Sequence, residues 1–345
     1  MEPPESPTLG TPLSRSTLSI AAEQGDDATV RRILQENPSL ASHSEYDDQT
    51  PLWLAAEAGN ASTVSIFLAG QLDLLADSAE RYGQTPLSIA AQNGHDSVVA
   101  LLLDQKSVDP NTRDKHGCTP LWYASSAGNE GAVKLLLARA DVEVDLPDSF
   151  GQTPLACAAR AGHEKIVALL LARGSSLGAV SAGQARHATL AHAAEGGHEA
   201  VVRALLSQPG VDPDSPDEWK RTPLALAASA GHTAVVELLL ENAGVDVNSI
   251  DALGQTPLFL AARQGHATIV RRLLARPDVR ADIRDGNGHT ALAAAALGGY
   301  EEVARMLLAR GDVLVESRDV NGLTLVELAE RRGHDGVARI LRGEV

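Results

Sequence analysis

The sequence predicts an all-α solenoid, about ten stacked helix-turn-helix units joined by projecting turns or β-hairpins. Three observations predict it. The string Thr-Pro-Leu-x-x-Ala-Ala-x-x-Gly-His recurs with small variations along the 345 residues, with its Leu at positions 52, 87, 121, 155, 224 and 258. Weaker copies place the equivalent residue at Leu18, Leu190, Leu292 and Val326, and every step between neighbours is 34 or 35 residues, the mark of a repeat array. Hydrophobic residues make up 44% of the chain but aromatics only 3%, too few for a conventional large core that leans on Phe, Tyr and Trp. With 30 Gly and 17 Pro spread along the chain, the apolar material reads as many short helices with frequent breaks.

Each piece of the unit has a physical reading. Thr caps the first helix, and Pro occupies a first-turn position that needs no N–H donor. A small Ala follows in all ten copies, from Ala21 and Ala55 to Ala295 and Ala329, and lets that helix approach its neighbours closely. Gly ends the helix by accepting a left-handed backbone, as at Gly25, Gly59 and Gly94. A second helix follows, with apolar clusters such as Val98-Val99-Ala100-Leu101-Leu102-Leu103 and Ile166-Val167-Ala168-Leu169-Leu170-Leu171. An extended stretch such as Val245-Asp246-Val247-Asn248 then leads to a Gly-containing turn, Asp251-Ala252-Leu253-Gly254, and the next Thr-Pro.

These units resemble ankyrin repeats, whose signature is Thr-Pro-Leu-His-x-Ala-Ala-x-x-Gly-His, and the style of the array is similar to that of fungal ankyrin proteins. The resemblance runs from residue 14 to residue 345, with repeats near 14–46, 47–81, 82–115, 116–149, 150–184, 185–218, 219–252, 253–286, 287–320 and 321–345. Residues 1–13 carry no repeat and read as a disordered tail. The chain departs from the pattern in three places. The His after Thr-Pro-Leu is absent, with Trp53, Ser88, Trp122, Ala156, Ala225 and Phe259 standing there. The first copy has Ser16-Thr17 for Thr-Pro, and the sixth, Arg186-His187-Ala188-Thr189-Leu190, lacks both the turn Gly and Thr-Pro. The weakest coupling between neighbours is expected at that sixth copy. The last copy, with Glu330, Arg331, Arg332, Arg339 and Arg342, reads as a polar cap.

Charge narrows the function. Forty-five acidic against 29 basic residues give a formal charge of −16, which disfavours nucleic acid and anionic lipid. Two cysteines cannot staple a secreted scaffold, and neither a signal peptide nor a membrane span is legible. The expected setting is the cytoplasm or nucleus, with no cofactor and no metal.

No phosphate-binding loop, nucleophile elbow, zinc-protease helix or dinucleotide fingerprint occurs. Six of the eleven histidines (His95, His163, His198, His232, His266, His334) occupy the Gly-His corner and read as structural capping residues. His192 falls in an otherwise apolar column beside Tyr123 and Cys157, so a groove near repeats 4–7 is the enzymatic or small-molecule alternative, through an activated thiolate. Trp53, Trp122 and Phe259 read as packing between repeats. Tyr82, His116, Phe150, Trp219 and Leu253 share one column at the turn tips, where exposed aromatics suggest anchors for a partner. The alternative is that each tip packs on its neighbour. Basic residues on or near that row, Arg81, Lys115, Arg160, Arg186, Lys220, Arg221 and Arg263, suggest an acidic or polar partner segment, and His187 lies beside them. What the resemblance implies is an interaction module or scaffold that binds another protein along one concave face.

Overall fold

The structure, a computed structural model, describes residues 16–44, 46–69, 76–174, 185–311, 313 and 315–344. The expected tail at 1–13 and residues 175–184 of the irregular stretch lie outside these. Among the described residues there are twenty α-helices in ten consecutive pairs and no β-strand, so the links are turns and not hairpins. The one bridge of β type joins Arg318 and Thr324. No helix among the described residues is long and apolar enough to cross a membrane.

The chain divides into two compact units, Met1–Pro154 with Leu169–Ser175, and Leu155–Ala168 with Ser176–Val345. The first carries the pairs α1 (Thr17–Gln24) and α2 (Asp27–Glu36), α3 (Pro51–Ala58) and α4 (Ala61–Ala69), α5 (Pro86–Asn93) and α6 (Asp96–Leu103), and α7 (Pro120–Ala127) and α8 (Glu130–Ala138). Next in the chain come α9 (Pro154–Ala161) and α10 (Glu164–Ala172). The second unit continues with α11 (Ala185–Glu195) and α12 (Glu199–Leu206), α13 (Pro223–Ala230) and α14 (Thr233–Leu240), and α15 (Pro257–Gln264) and α16 (Ala267–Leu274). It ends with α17 (Ala291–Gly298) and α18 (Glu301–Ala309), then α19 (Leu325–Arg331) and α20 (Asp335–Arg342). Within the first unit α1, α3, α5 and α7 stack in series, and within the second α11, α13, α15, α17 and α19 do the same.

The two helices of a pair differ in how much they bury, and the sequence explains why. In α13 every residue from Pro223 to Ala228 is buried, because small side chains let neighbours close on all sides. In α14 only Val235, Val236 and Leu239 are buried, one face of an outer helix. Thr begins the inner helices as expected: Thr50 Oγ1 accepts from Trp53 N at 3.2 Å and Thr256 Oγ1 from Phe259 N at 3.1 Å. Thr324 adds a reciprocal bond with Glu327, forming a capping box on the last inner helix. In the sixth copy, where Thr-Pro is missing, α11 instead starts at Ala185 and runs 11 residues against eight for most inner helices.

One sequence expectation is corrected. The corner histidines do not cap their own helices, since His95, His198, His232, His266 and His334 make no side-chain cap bond. They reach back to the preceding repeat. His95 Nε2 lies 2.9 Å from Glu57 O, His232 Nε2 2.9 Å from Glu195 O and His334 Nε2 3.1 Å from Leu297 O. A carbonyl only accepts, so Nε2 carries the proton. Asn60 and Asn129 do the same work, each donating Nδ2 to two carbonyls of the previous inner helix. The ring of His95 also roofs Gly59, where φ is +78° and a Cβ would stand 2.6 Å from Nδ1, so this corner excludes other residues twice over.

The segments before the turns are tied across repeats by a second polar column. Asn111 Oδ1 accepts from Glu143 N while its Nδ2 donates to Asp141 O, both at 2.8 Å. Asn248 repeats the pattern with Arg280 N and Asp278 O, again at 2.8 Å. Asp77 and Asp214 occupy the same register and accept from Asp109 N at 2.8 Å and Asp246 N at 2.5 Å. An ionised carboxyl has no donor for the remaining carbonyl, and Asp77 Oδ1 and Asp214 Oδ1 are buried without a partner. Burial pushes both carboxyls above the ordinary Asp range.

Two outcomes follow from this packing. Leu170 is fully buried, so Leu170→Ala is expected to cost about 2–5 kcal/mol, read from the urea midpoint. At Asp77 and Asp214 the folded state holds a proton more readily than the unfolded chain, so their contribution to stability falls as pH rises above the ordinary Asp range. Asp77→Asn and Asp214→Asn should therefore each stabilise by about 1 kcal/mol near neutral pH. The gain should shrink in parallel urea titrations below about pH 4, where the native carboxyl is itself a donor.

Candidate functional site

The projecting turns are built around an acidic residue that stands five positions before the capping residue. Asp148 Oδ1 accepts from Phe150 N at 2.9 Å and Gln152 N at 2.8 Å. Asp217 Oδ1 does the same with Trp219 N and Arg221 N, and Asp251 Oδ1 with Leu253 N and Gln255 N. Glu80, Asp114, Asp285 and Asp319 close their turns in the same way. These carboxylates are mostly buried, with Asp148 7% exposed. Each one satisfies two backbone donors that a sharp turn leaves without partners.

The turns are then laddered by their main chains. In the first unit Lys115 N donates to Tyr82 O at 2.9 Å and Ser149 N to His116 O at 2.7 Å. In the second unit Ala252 N donates to Trp219 O and Gly286 N to Leu253 O, both at 2.9 Å. The side chains at the tips are left outside: Phe150 is 84% exposed, Leu253 64%, Trp219 59% and Tyr82 54%. Backbone therefore packs on backbone while the column of large side chains points to solvent. The first unit gathers Arg81, Tyr82, Lys115, His116 and Phe150 along one ladder, and the second gathers Trp219, Arg221 and Leu253 along another. The turn Gly is replaced after Trp219 by Lys220, which is held at φ +60°, a conformation that strains a residue with a Cβ.

The basic residues separate into committed and uncommitted charges. Arg81 pairs with Asp47 at 3.1 Å. Arg221 pairs with Asp217 at 2.7 Å and reaches Glu195 at 3.7 Å, so its charge is spent on its own turn. Lys115, Arg160 and Arg263 make no ion pair with another described residue, and Arg263 is held by Gln255 Oε1 at 3.0 Å. Helical Arg186 and His187 have side chains outside the described residues.

The residues of the groove alternative sit in three different environments. Tyr123 donates its hydroxyl to Asp114 Oδ2 at 2.5 Å, and burial together with that bond pushes its ionisation well above the usual tyrosine range. Cys157 is 1% exposed, closed to any approaching substrate. His192 is half-buried with Nδ1 unpaired, and burial, seconded by Arg160, favours its neutral ring. The aromatics expected between repeats are there: Trp53 and Phe259 are buried, and the indoles of Trp53 and Trp122 donate to Gln84 O and Gln152 O.

Two adjacent grooves open in the second unit. One, about 460 Å³, is lined by Trp219, Leu226, Leu253 and Leu260 with Arg221 and Arg263. The other, about 390 Å³, is lined by Phe259, Leu297, His289 and Arg332, and it shares Gln255 and Arg263 with the first. Sequence reasoning missed the turn carboxylates and Gln255. The signal was present, as an acid recurring five residues before Thr.

The tip geometry separates two kinds of residue. Asp148→Ala strips two backbone donors and is expected to cost about 1–2 kcal/mol of stability. Phe150→Ala, one residue pair away on the same turn, should change it by less than about 0.5 kcal/mol. Lys220→Gly removes a strained φ and should gain about 0.5–1 kcal/mol. Urea unfolding of the three variants checks the contrast.

A search of curated proteins returned no match. The family described as ankyrin repeats (3 copies) matches residues 18–114, 106–180 and 190–285, and the single ankyrin repeat matches residues 287–319. Those matches cover most of the chain and coincide with the stacked helix pairs. The chain belongs to the ankyrin repeat family.

Proposed function

We propose that this chain is a non-enzymatic adaptor that binds another protein through its turn tips and the neighbouring inner helices. Ankyrin repeats are generally protein–protein interaction modules, which supplies the class. One observation carries the assignment to the tips: their backbones are fixed by buried carboxylates, yet Tyr82, Phe150, Trp219 and Leu253 stay exposed. A large apolar side chain on a rigid, exposed turn is already ordered and loses little entropy when a partner covers it. Basic Lys115, Arg160 and Arg263, without carboxylates among the described residues, favour polar or acidic partner surfaces.

The test is capture of partners from the native host by the full chain, identified by mass spectrometry, followed by affinity measurement with the purified partner. Truncation of Phe150 or Trp219 to Ala is expected to weaken binding by about 2 kcal/mol or more, roughly 30-fold, with the fold intact. Unchanged affinity in both variants overturns the tip assignment. Loss of the fold in both would mean that the tips hold the repeats together.

A further inference from the structure

The two grooves of the second unit say something about what the partner presents. The first is apolar at its walls, where Trp219 and Leu253 flank it from the turns and Leu226 and Leu260 from α13 and α15. Its acidic residues all have internal donors. Glu195 is met by Arg221, and Asp251 accepts from Leu253 N and Gln255 N. Of its two arginines, Arg221 is paired with carboxylates and Arg263 is not. Arg263 is exposed and meets no carboxylate among the described residues. Its Nη1 donates to Gln255 Oε1 at 3.0 Å, and Gln255 is buried, with its own N–H fixed on Asp251.

Gln255 and Arg263 line both grooves. The guanidinium therefore stands on the ridge between two cavities, positioned by a buried amide. The same two positions vary between repeats: in the third, Gln84 and Gln92 make the corresponding contact with no charge, and in the fifth the sequence again has Gln and Arg, as Gln152 and Arg160. On a protein of net charge −16, a cation held between the two grooves, with Arg332 on the wall of the second, is complementary to a carboxylate.

We infer that this surface takes an extended segment of a partner protein in which a carboxylate meets Arg263 and large apolar side chains flank it, one seated between Trp219 and Leu253 and another against Phe259 and Leu297. Arginine presents a planar fork of donors that a carboxylate satisfies with two bonds, and four of its five N–H groups remain after the bond to Gln255. A cavity of about 460 Å³ lies in the size range of pockets that enclose side chains and small ligands. This inference rests on the reading of the chain as a protein-binding module and adds the chemistry of the bound segment.

The experiment is selection of a random peptide library displayed on phage against the full chain, followed by titration of a fluorescent copy of the enriched peptide. Enriched sequences should carry Asp or Glu flanked by Leu, Ile, Phe or Trp. Their Kd should weaken about 10-fold or more for Arg263→Gln and for Leu253→Ser, both at exposed positions, and less than about 2-fold for Lys134→Gln on the outer helix α8. Thermal melts of the variants confirm that each is folded.

Enriched peptides without a carboxylate, affinity indifferent to Arg263→Gln, or no enrichment at all would overturn the inference. So would equal competition by free aspartate, which would mark a small-anion site. Peptides that depend on Phe150 and Tyr82 in place of Arg263 would overturn the groove assignment while leaving recognition by the tips standing.

Discussion

The structure depends on one local constraint, a carboxylate that holds the backbone of seven described projecting turns from within. Without it, a sharp turn between repeats would expose amide donors that need partners, and side chains would have to cover them. With Asp148 or Asp217 in place, the amides at the tip are satisfied from below and the main chain is free to bond the next turn. The side chains are then released from structural duty. This is why a chain with few aromatics can leave Phe150, Trp219 and Tyr82 exposed without loss of order.

The same economy applies to charge. The sequence is acidic, and an acidic count of 45 invites the view that most carboxylates are solvated surface. Seven of them, from Glu80 to Asp319, are instead the closures of turns. Others neutralise arginines locally, as Asp217 does for Arg221. The charge that remains for recognition is therefore set by cations left without carboxylates; Arg113 and Arg284 are tied to main-chain carbonyls, whereas Arg263, on a groove wall, is tied to a side-chain amide.

Much of the fold was legible because the repeat spells its own geometry. Thr caps, the small Ala and the Gly stop each act within a few residues of themselves, so a single sequence reveals them. The corner histidines were read as caps because local logic favours that. Their bonds run 37 or 38 residues back, as from His95 to Glu57, and no local rule reports that distance. The turn acids were missed for a different reason: a carboxylate on a turn looks solvated until its amide partners are placed. The exposure of the tip column was legible, since a residue beside a turn Gly has nowhere to bury. The pairing of Arg221 with Glu195 and Asp217 was not, because it joins the end of one inner helix to the next turn. The tie of Arg263 to Gln255, eight residues apart, likewise became visible only in three dimensions.

The central claim is that the tips are ordered from beneath, independently of their exposed side chains. Amide hydrogen exchange at single-residue resolution tests it directly, on the N–H groups of Phe150, Gln152, Trp219 and Arg221. The account predicts exchange at least about ten-fold slower than for unstructured amides at all four, although they lie on solvent-facing turns. Exchange at unprotected rates would contradict it.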